Sequence, residues 1–163
     1  MTTIKTIKKR AAIALGSNLA SAWGDREASL REAIGRVGEF GVVLGFSSFH
    51  DTEPVGYVDQ PRFLNGAMLL ETELGPLELL RELLRVERAM GRDRSAAVAK
   101  GPRVIDLDLL LFEDVVLETP ELTLPHPALA ERRFVLAPLA EVAPEMRHPV
   151  SGLTVAEMLA RLG

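Results

Sequence analysis

Residues 104 to 112 read VIDLDLLLF, an apolar run broken by two acids two positions apart. A short, bulky run of this kind after Gly101-Pro102 reads as a β-strand, in which side chains alternate between faces. Asp106 and Asp108 then share one face, while Ile105, Leu107, Leu109 and Leu111 share the other. Any sheet containing this strand must bury the aliphatic side and compensate the acidic side, because two like charges are costly to remove from water. At a rise of about 3.3 Å per residue the carboxylates stand roughly 7 Å apart, too far for one proton to bridge and suited to oxygen-seeking cations.

Arg92, Arg94 and Arg103 surround a loop bounded by Gly91 and Gly101, and guanidinium groups match phosphate oxygens bidentately. Acids for Mg2+ and arginines for phosphate, joined by one loop and one strand, point to metal-assisted phosphoryl chemistry. Taken without its context, the acid pair fits equally well a half-exposed strand beside ordinary surface arginines.

The chain as a whole narrows the partners. Its 163 residues, 47% hydrophobic and 26% charged, suffice for one globular domain spanning 1–163 with a full core. A formal charge of -4 offers no general attraction to nucleic acid or anionic lipid, so an anion site must be a local arginine cluster serving a small ligand. With no cysteine there is neither a disulfide framework nor a thiolate metal site, as fits a reducing compartment. The opening MTTIKTIKKRAAIALG sets basic residues ahead of apolar ones like a secretory leader, but Ala11 to Leu15 is short for that role and reads as a first strand. No run approaches the ~18 apolar residues that span a bilayer, and the expected location is the cytoplasm.

No repeat or linker divides the chain. Residues 10 to 15 form the first strand, ending at Gly16-Ser17-Asn18, and Asp25 caps a helix with Leu30, Ile34 and Val37 on one side. Residues 41 to 50 read as a second apolar strand and DTEPVGYVDQP, 51 to 61, as a long loop. Strand character returns at FLNGAMLLETEL, after which Gly75-Pro76 opens a helix with Leu80, Leu83, Leu84 and Val86 inward, ending at Gly91. The four prolines of LPHPALAERRFVLAPLAEVAPE allow only short elements. Thr154 and Glu157 make a capping box for a last helix carrying Met158, Leu159 and Leu162. Strands and helices mix without strict alternation, which defines an α+β fold, a mainly antiparallel sheet with helices packed against it.

Asn65 interrupts an apolar strand on the face that also carries Phe63. Its carboxamide offers a donor and an acceptor to the edge of a heterocycle, although a buried amide is more often satisfied by backbone. His126, held extended by Pro127 in LPHP, meets either a phosphate or plain solvent in a stiff turn. Phe63 and Phe134 read by themselves as core. His50 and His148 lack neighbouring ligand types and are given no role, and Gly16-Ser17-Asn18 lacks the pattern of a P-loop.

In order along the chain stand ALGSNL, EPVGYVDQPRFLNGAMLLET, ERAMGRDR, GPRVIDLDLLLF and LPHPALAERRFVLAPLAEVAPE. This series, from about residue 11 to residue 150, closely resembles the 6-hydroxymethyl-7,8-dihydropterin pyrophosphokinases of folate biosynthesis. The resemblance implies a ferredoxin-like α+β fold and transfer of the β,γ-diphosphate of ATP to the pterin hydroxymethyl group, releasing AMP. It implies two Mg2+ ions at Asp106 and Asp108, with Arg92 and Arg103 stabilising the moving diphosphate.

By the same resemblance the pterin stacks between Phe63 and Phe134, its edge read by Asn65 and by the backbone of Thr52, Glu53, Pro54 and Val55. ATP is held by Glu87, Arg94, Lys100, His126 and Arg132, with Arg133 adjoining as the alternative to the last. The segment SAAVAKG, 95 to 101, has Ala99-Lys100 where many relatives carry an arginine with Trp or Asn, and Lys100 partly substitutes for that charge. Leu84 and Glu121 stand where some relatives have polar or basic nucleotide contacts. The expected partners are small molecules only, with no nucleic acid and no membrane, and the expected state is a monomer. A non-catalytic relative that binds pterin and nucleotide is the alternative function, and a two-metal phosphodiesterase or nuclease would group more acids or histidines than this chain does.

Overall fold

A computed structural model describes residues 7–52, 62–91 and 104–163. Strand β1 (Lys9–Ser17) runs through the middle of the sheet and is apolar on both faces, sending Ala11, Ile13 and Leu15 into one core and Ala12 and Ala14 into another. Helix α1 (Arg26–Val37) begins where the Asp25 carboxylate accepts a bond from Ala28 N at 2.9 Å, satisfying a donor that has no partner within the helix. A 3-10 turn at Gly38–Phe40 leads to β2 (Val42–Phe46) and β3 (His50–Thr52), both antiparallel to β4 (Phe63–Thr72).

Helix α2 (Pro76–Ala89) starts on its proline, where the missing N–H costs nothing. Strand β5 (Asp106–Phe112) then pairs with β1, and β6 (Leu117–Glu118) and β7 (Thr123–Leu124) form a separate ribbon. Helices α3 (Arg133–Val142) and α4 (Val155–Arg161) close the chain. The capping box of α4 is formed as expected, with Thr154 Oγ1 accepting from Glu157 N at 3.1 Å and Glu157 Oε1 accepting from Thr154 N at 3.0 Å.

The strand order is β2-β4-β1-β5, with β3 also on β4. Each crossover, β1-α1-β2 and β4-α2-β5, skips one strand, so the two units interlock and every neighbour is antiparallel, the ferredoxin-like arrangement. On one face Leu30, Leu79, Leu83 and Val86 of α1 and α2 pack on Ile13, Leu15, Met68 and Leu70. On the other, Leu136, Leu139, Val155 and Met158 of α3 and α4 pack on Ala12, Ala67 and Leu111. Among the described residues no helix is long and apolar enough to cross a membrane.

Five local expectations are corrected. Residues 41 to 50 are two strands rather than one, because Ser47 N bonds Ala67 O at 2.8 Å while Ser47 Oγ accepts from Ala67 N at 2.9 Å, turning the chain. Phe49 then folds onto Gly66, where any Cβ would meet its ring at 2.8 Å. Leu111 does not share a face with Leu107 and Leu109: the β1–β5 register slips between Ala12 and Ile13, leaving Leu110 as an extra residue and moving Leu111 to the α3 side. In α2, Leu79 is fully buried and Leu80 and Leu84 only partly so, and Leu162 is exposed. Finally α3 runs ten residues despite Pro138, whose buried ring removes only the donor that would serve the Phe134 carbonyl.

Candidate functional site

The site forms where β1, β4 and β5 end together under the start of α3. Across these strands the register sets His50 against Asn65, Asn65 against Gly16, and Gly16 against Asp106; one step deeper, Ala67, Ala14 and Asp108 align. Register partners in antiparallel strands project to the same side. One row therefore carries an imidazole, an amide and a carboxylate, with bare backbone at Gly16 between the last two. A Cβ at Gly16 would stand 3.0 Å from Asn65 Oδ1 and 4.0 Å from Asp106 Cβ.

A cleft above this row is lined by Gly16, Asn65, Asp106, Asp108, His126, Arg132 and Phe134. Six residues singled out from widely spaced motifs thus meet in one depression. Asn65 Nδ2 donates to Thr52 Oγ1, which fixes the direction of the amide. Phe63, expected as one stacking face, is buried and pairs with Thr52 across β3 and β4. Arg132 lies over the Phe134 ring, its guanidinium carbon 5.6 Å from the centroid. Arg133 lines instead the adjoining groove of His50, Asp51, Thr52 and Ala137, which Arg132 also borders.

His126 follows the cis Leu124–Pro125 bond, and its own N–H is anchored on Leu110 O at 2.9 Å. Ring atom Nδ1 accepts from Ala128 N at 3.2 Å, so the neutral ring carries its proton on Nε2. Burial, and then the nearby Arg132 charge, push the His126 pKa down, with Asp106 opposing. The ring is therefore a neutral donor of fixed tautomer.

Glu87 departs from the cleft. It is 1% exposed on α2, against the opposite face of the sheet, and its Oε2 accepts from Leu107 N at 2.8 Å. The carboxylate braces the backbone between the two aspartates. An acid on the apolar stripe of Leu79, Leu83 and Val86 was the sequence signal for such a buried role. Glu53, Pro54, Val55, Arg92, Arg94, Lys100 and Arg103 lie outside the described residues.

Sequence reading missed a clasp that ties β3 to the start of α1 and to the residue before β4. Asp51 accepts from Arg26 at 3.1 and 3.3 Å and from Arg62 Nε at 3.2 Å, while Arg26 also donates to Arg62 O at 2.7 Å. The hydrogen bond from Arg26 leads the effects that hold the Asp51 carboxyl below its usual range. Nothing in the spacing of positions 26, 51 and 62 announces this contact.

An antiparallel α+β sheet with paired carboxylates, an amide, a neutral imidazole, an arginine and an aromatic ring at one strand end defines a small-ligand site able to meet phosphate and a flat ring together. Residues 12–144 match the family described as 7,8-dihydro-6-hydroxymethylpterin-pyrophosphokinase. The chain is 46% identical over 136 residues to the 2-amino-4-hydroxy-6-hydroxymethyldihydropteridine pyrophosphokinase of Bacillus subtilis, covering 82% of this chain and 78% of that protein. With the enzyme of the same name from Pseudomonas aeruginosa the identity is 43% over 152 residues, covering 93% and 91%. With the folic acid synthesis protein fol1 of Schizosaccharomyces pombe it is 41% over 159 residues, 96% of this chain but only 21% of that longer protein. The crystal structure of wild-type Plasmodium falciparum HPPK-DHPS superposes with a TM-score of 0.72 at 16% identity, over 97% of this chain and 42% of that one, a likeness of fold. The chain belongs to the 7,8-dihydro-6-hydroxymethylpterin-pyrophosphokinase family. Its members transfer a pyrophosphoryl group from ATP, their co-substrate, to hydroxymethyldihydropterin in folate synthesis.

Proposed function

We propose that this chain moves the β,γ-diphosphate of ATP onto 6-hydroxymethyl-7,8-dihydropterin, as a Mg2+-dependent, single-domain, monomeric cytoplasmic enzyme. The observation that carries this reading is the convergence of Asn65, Asp106, Asp108, His126, Arg132 and Phe134 on one cleft. The hydroxymethyl oxygen forms a bond to the β-phosphorus, the bond from that phosphorus to the oxygen bridging to the α-phosphate breaks, and the hydroxyl proton leaves to water. AMP and the pterin diphosphate result.

The residues fit a magnesium site. Asp106 and Asp108 line the same cleft from one side of β5, and Mg2+ commonly takes one or two carboxylates and completes its shell with water and substrate phosphates. Among the described residues no group of three or more acids, histidines or cysteines is gathered closely enough to hold a metal by itself, and the two carboxylates would hold the cation together with the nucleotide's phosphates. When bound, the cation supplies neutralisation of phosphate charge and polarises the acceptor hydroxyl.

The protein's own groups do the positioning. Asn65, aimed by Thr52, reads the polar edge of the heterocycle, and Phe134 offers it an aromatic face. Phe63, beside Thr52 across β3 and β4 and two positions before Asn65 on the same face, offers the second aromatic face. His126 donates from Nε2 to a phosphate oxygen without adding a second full charge beside Arg132. Glu87 contributes to nucleotide binding indirectly, by fixing β5 through Leu107. Glu53, Pro54 and Val55 complete the pterin pocket, and Arg92, Arg94, Lys100 and Arg103 the phosphate side.

Incubation of the purified protein with MgATP and the hydroxymethyl dihydropterin tests the reading. AMP and pterin diphosphate in equal amounts are expected. ADP would mean transfer of a single phosphoryl group, and binding of both ligands without AMP would mean a non-catalytic relative.

A further inference from the structure

Helix α3 carries a second, unassigned relation to the site. Phe134, Ala137 and Glu141, at i, i+3 and i+7, form one stripe along it. The stripe faces β3, where His50 and Thr52 project to one side, and a groove between the two elements is lined by His50, Thr52, Phe134 and Ala137. At its far end Glu141 Oε2 accepts from His50 Nε2 at 2.6 Å. Its Oε1 accepts from Ser48 N at 2.8 Å, and Ser48 Oγ donates to the carboxylate at 2.9 Å. Partial removal from water pushes the Glu141 pKa up, but the Ser48 N–H, the His50 ring and the Ser48 hydroxyl together hold it below the usual range. The group is an anion with three donors aimed at it.

This grip joins the two walls between which the heterocycle is placed above. His50 is the register partner of Asn65, Thr52 that of Phe63, and Asn65 is tied to Thr52. Shifting His50 therefore shifts the amide's anchor, while shifting Glu141 shifts the helix that bears Phe134. Neither His50 nor Glu141 lines the cleft that holds Asp106 and Asp108.

We propose that Glu141 is a positioning residue for the flat heterocycle: by gripping Ser48 and His50 it sets the spacing between Phe134 and the Thr52–Asn65 pair. This rests on the pterin reading of the site. Its effect falls on pterin affinity and leaves the phosphate chemistry alone.

The test compares the full chain with Glu141→Ala, Glu141→Gln and His50→Ala, measuring KM for the dihydropterin, KM for MgATP, kcat from AMP release, and equilibrium dihydropterin binding. Glu141→Ala raises the dihydropterin KM and dissociation constant about tenfold, as loosened placement of a bound ring does, with MgATP KM and kcat within about twofold. Glu141→Gln keeps the acceptor for Ser48 N and returns both to within about threefold of the native chain, a rescue that generalised unfolding would not produce. Unchanged dihydropterin affinity in Glu141→Ala, or equal losses for both substrates, overturns the proposal. Should that variant fail to fold, His50→Ala removes one arm and is expected to cost about threefold in dihydropterin affinity, no loss counting against the claim. A native chain that binds the dihydropterin but makes no AMP refutes the pyrophosphokinase reading, and the spacing claim is then decided by equilibrium binding alone.

Discussion

Asn65 and Asp106 lie on strands that do not pair with each other, yet each is the register partner of Gly16, so an amide and a carboxylate face one cleft across a single glycine. The close approach of Asn65 Oδ1 to the position of an added Cβ, 3.0 Å, makes that glycine a spacing requirement. Gly16→Ala should push the amide aside and raise the dihydropterin KM roughly three- to tenfold, and Gly16→Val should cost about a hundredfold, with far-UV circular dichroism unchanged. A valine variant with native affinity would show that the row does not bind the ring.

Replacing Asp106 or Asp108 by Asn keeps size and removes a hard anionic ligand. Each change should lower kcat about 10²- to 10³-fold while dihydropterin binding stays within about threefold, because electrostatic stabilisation of the transferring group is lost and the aromatic contacts remain. Chelation of Mg2+ with EDTA should stop turnover in the native chain and added Mg2+ should restore it. Turnover that ignores both the substitution and the chelator would remove the acids from the metal role.

Much of this arrangement could be read in advance, and what could not has a physical reason. The alternation of Asp106 and Asp108, the Asp25 cap and the Thr154–Glu157 box are local patterns with local causes, and each appears where the residues put it. The slip at Leu110 was hidden because Leu109, Leu110 and Leu111 are identical, so no residue marks where the period changes. The break at Ser47 depends on Gly66 nineteen positions later giving way to Phe49. The clasp on Asp51 and the Glu141–His50 contact join residues remote in sequence, and no window along the chain contains both partners.

Glu87 tests how far the acidic strand relies on its rear support. Glu87→Ala leaves the buried N–H of Leu107 without that acceptor, which should cost about 1–3 kcal/mol of unfolding free energy in urea titrations. Glu87→Gln keeps an acceptor and should cost less. An alanine variant as stable as the native chain would mean that the contact carries no weight.

Loss of a helix cap gives a control remote from the chemistry. Asp25→Ala removes the acceptor for Ala28 N and should destabilise by about 1 kcal/mol, lowering Tm by roughly 2–4 °C in a chain of this size. AMP release at 25 °C should not change.

His148 predicts acid sensitivity. Its Nδ1 accepts from Val150 N and Ser151 N at 3.2 and 3.1 Å, and burial lowers its pKa. The unfolded chain therefore takes up the proton first, so the stability tied to a neutral ring is complete above about pH 6.5 and declines as pH falls toward the depressed folded value. His126, also lowered, acts in the same direction. His148→Asn keeps an acceptor that does not titrate and should flatten the fall in stability between about pH 6.5 and 5, which chemical unfolding at several pH values would reveal. An equally steep fall in the variant would assign the effect elsewhere.

The slip at Leu110 comes after the two aspartates and before Phe112. It works as a phase change partway along one strand: the front half alternates acids with core leucines, and the rear half resets so that Leu111 feeds the α3 side and Phe112 the α2 side. Excising that one leucine would make Leu109 and Leu111 consecutive partners of Ile13 and Ala12, so the acidic pair and both core destinations would survive and only the local kink and added twist of the bulge would be lost.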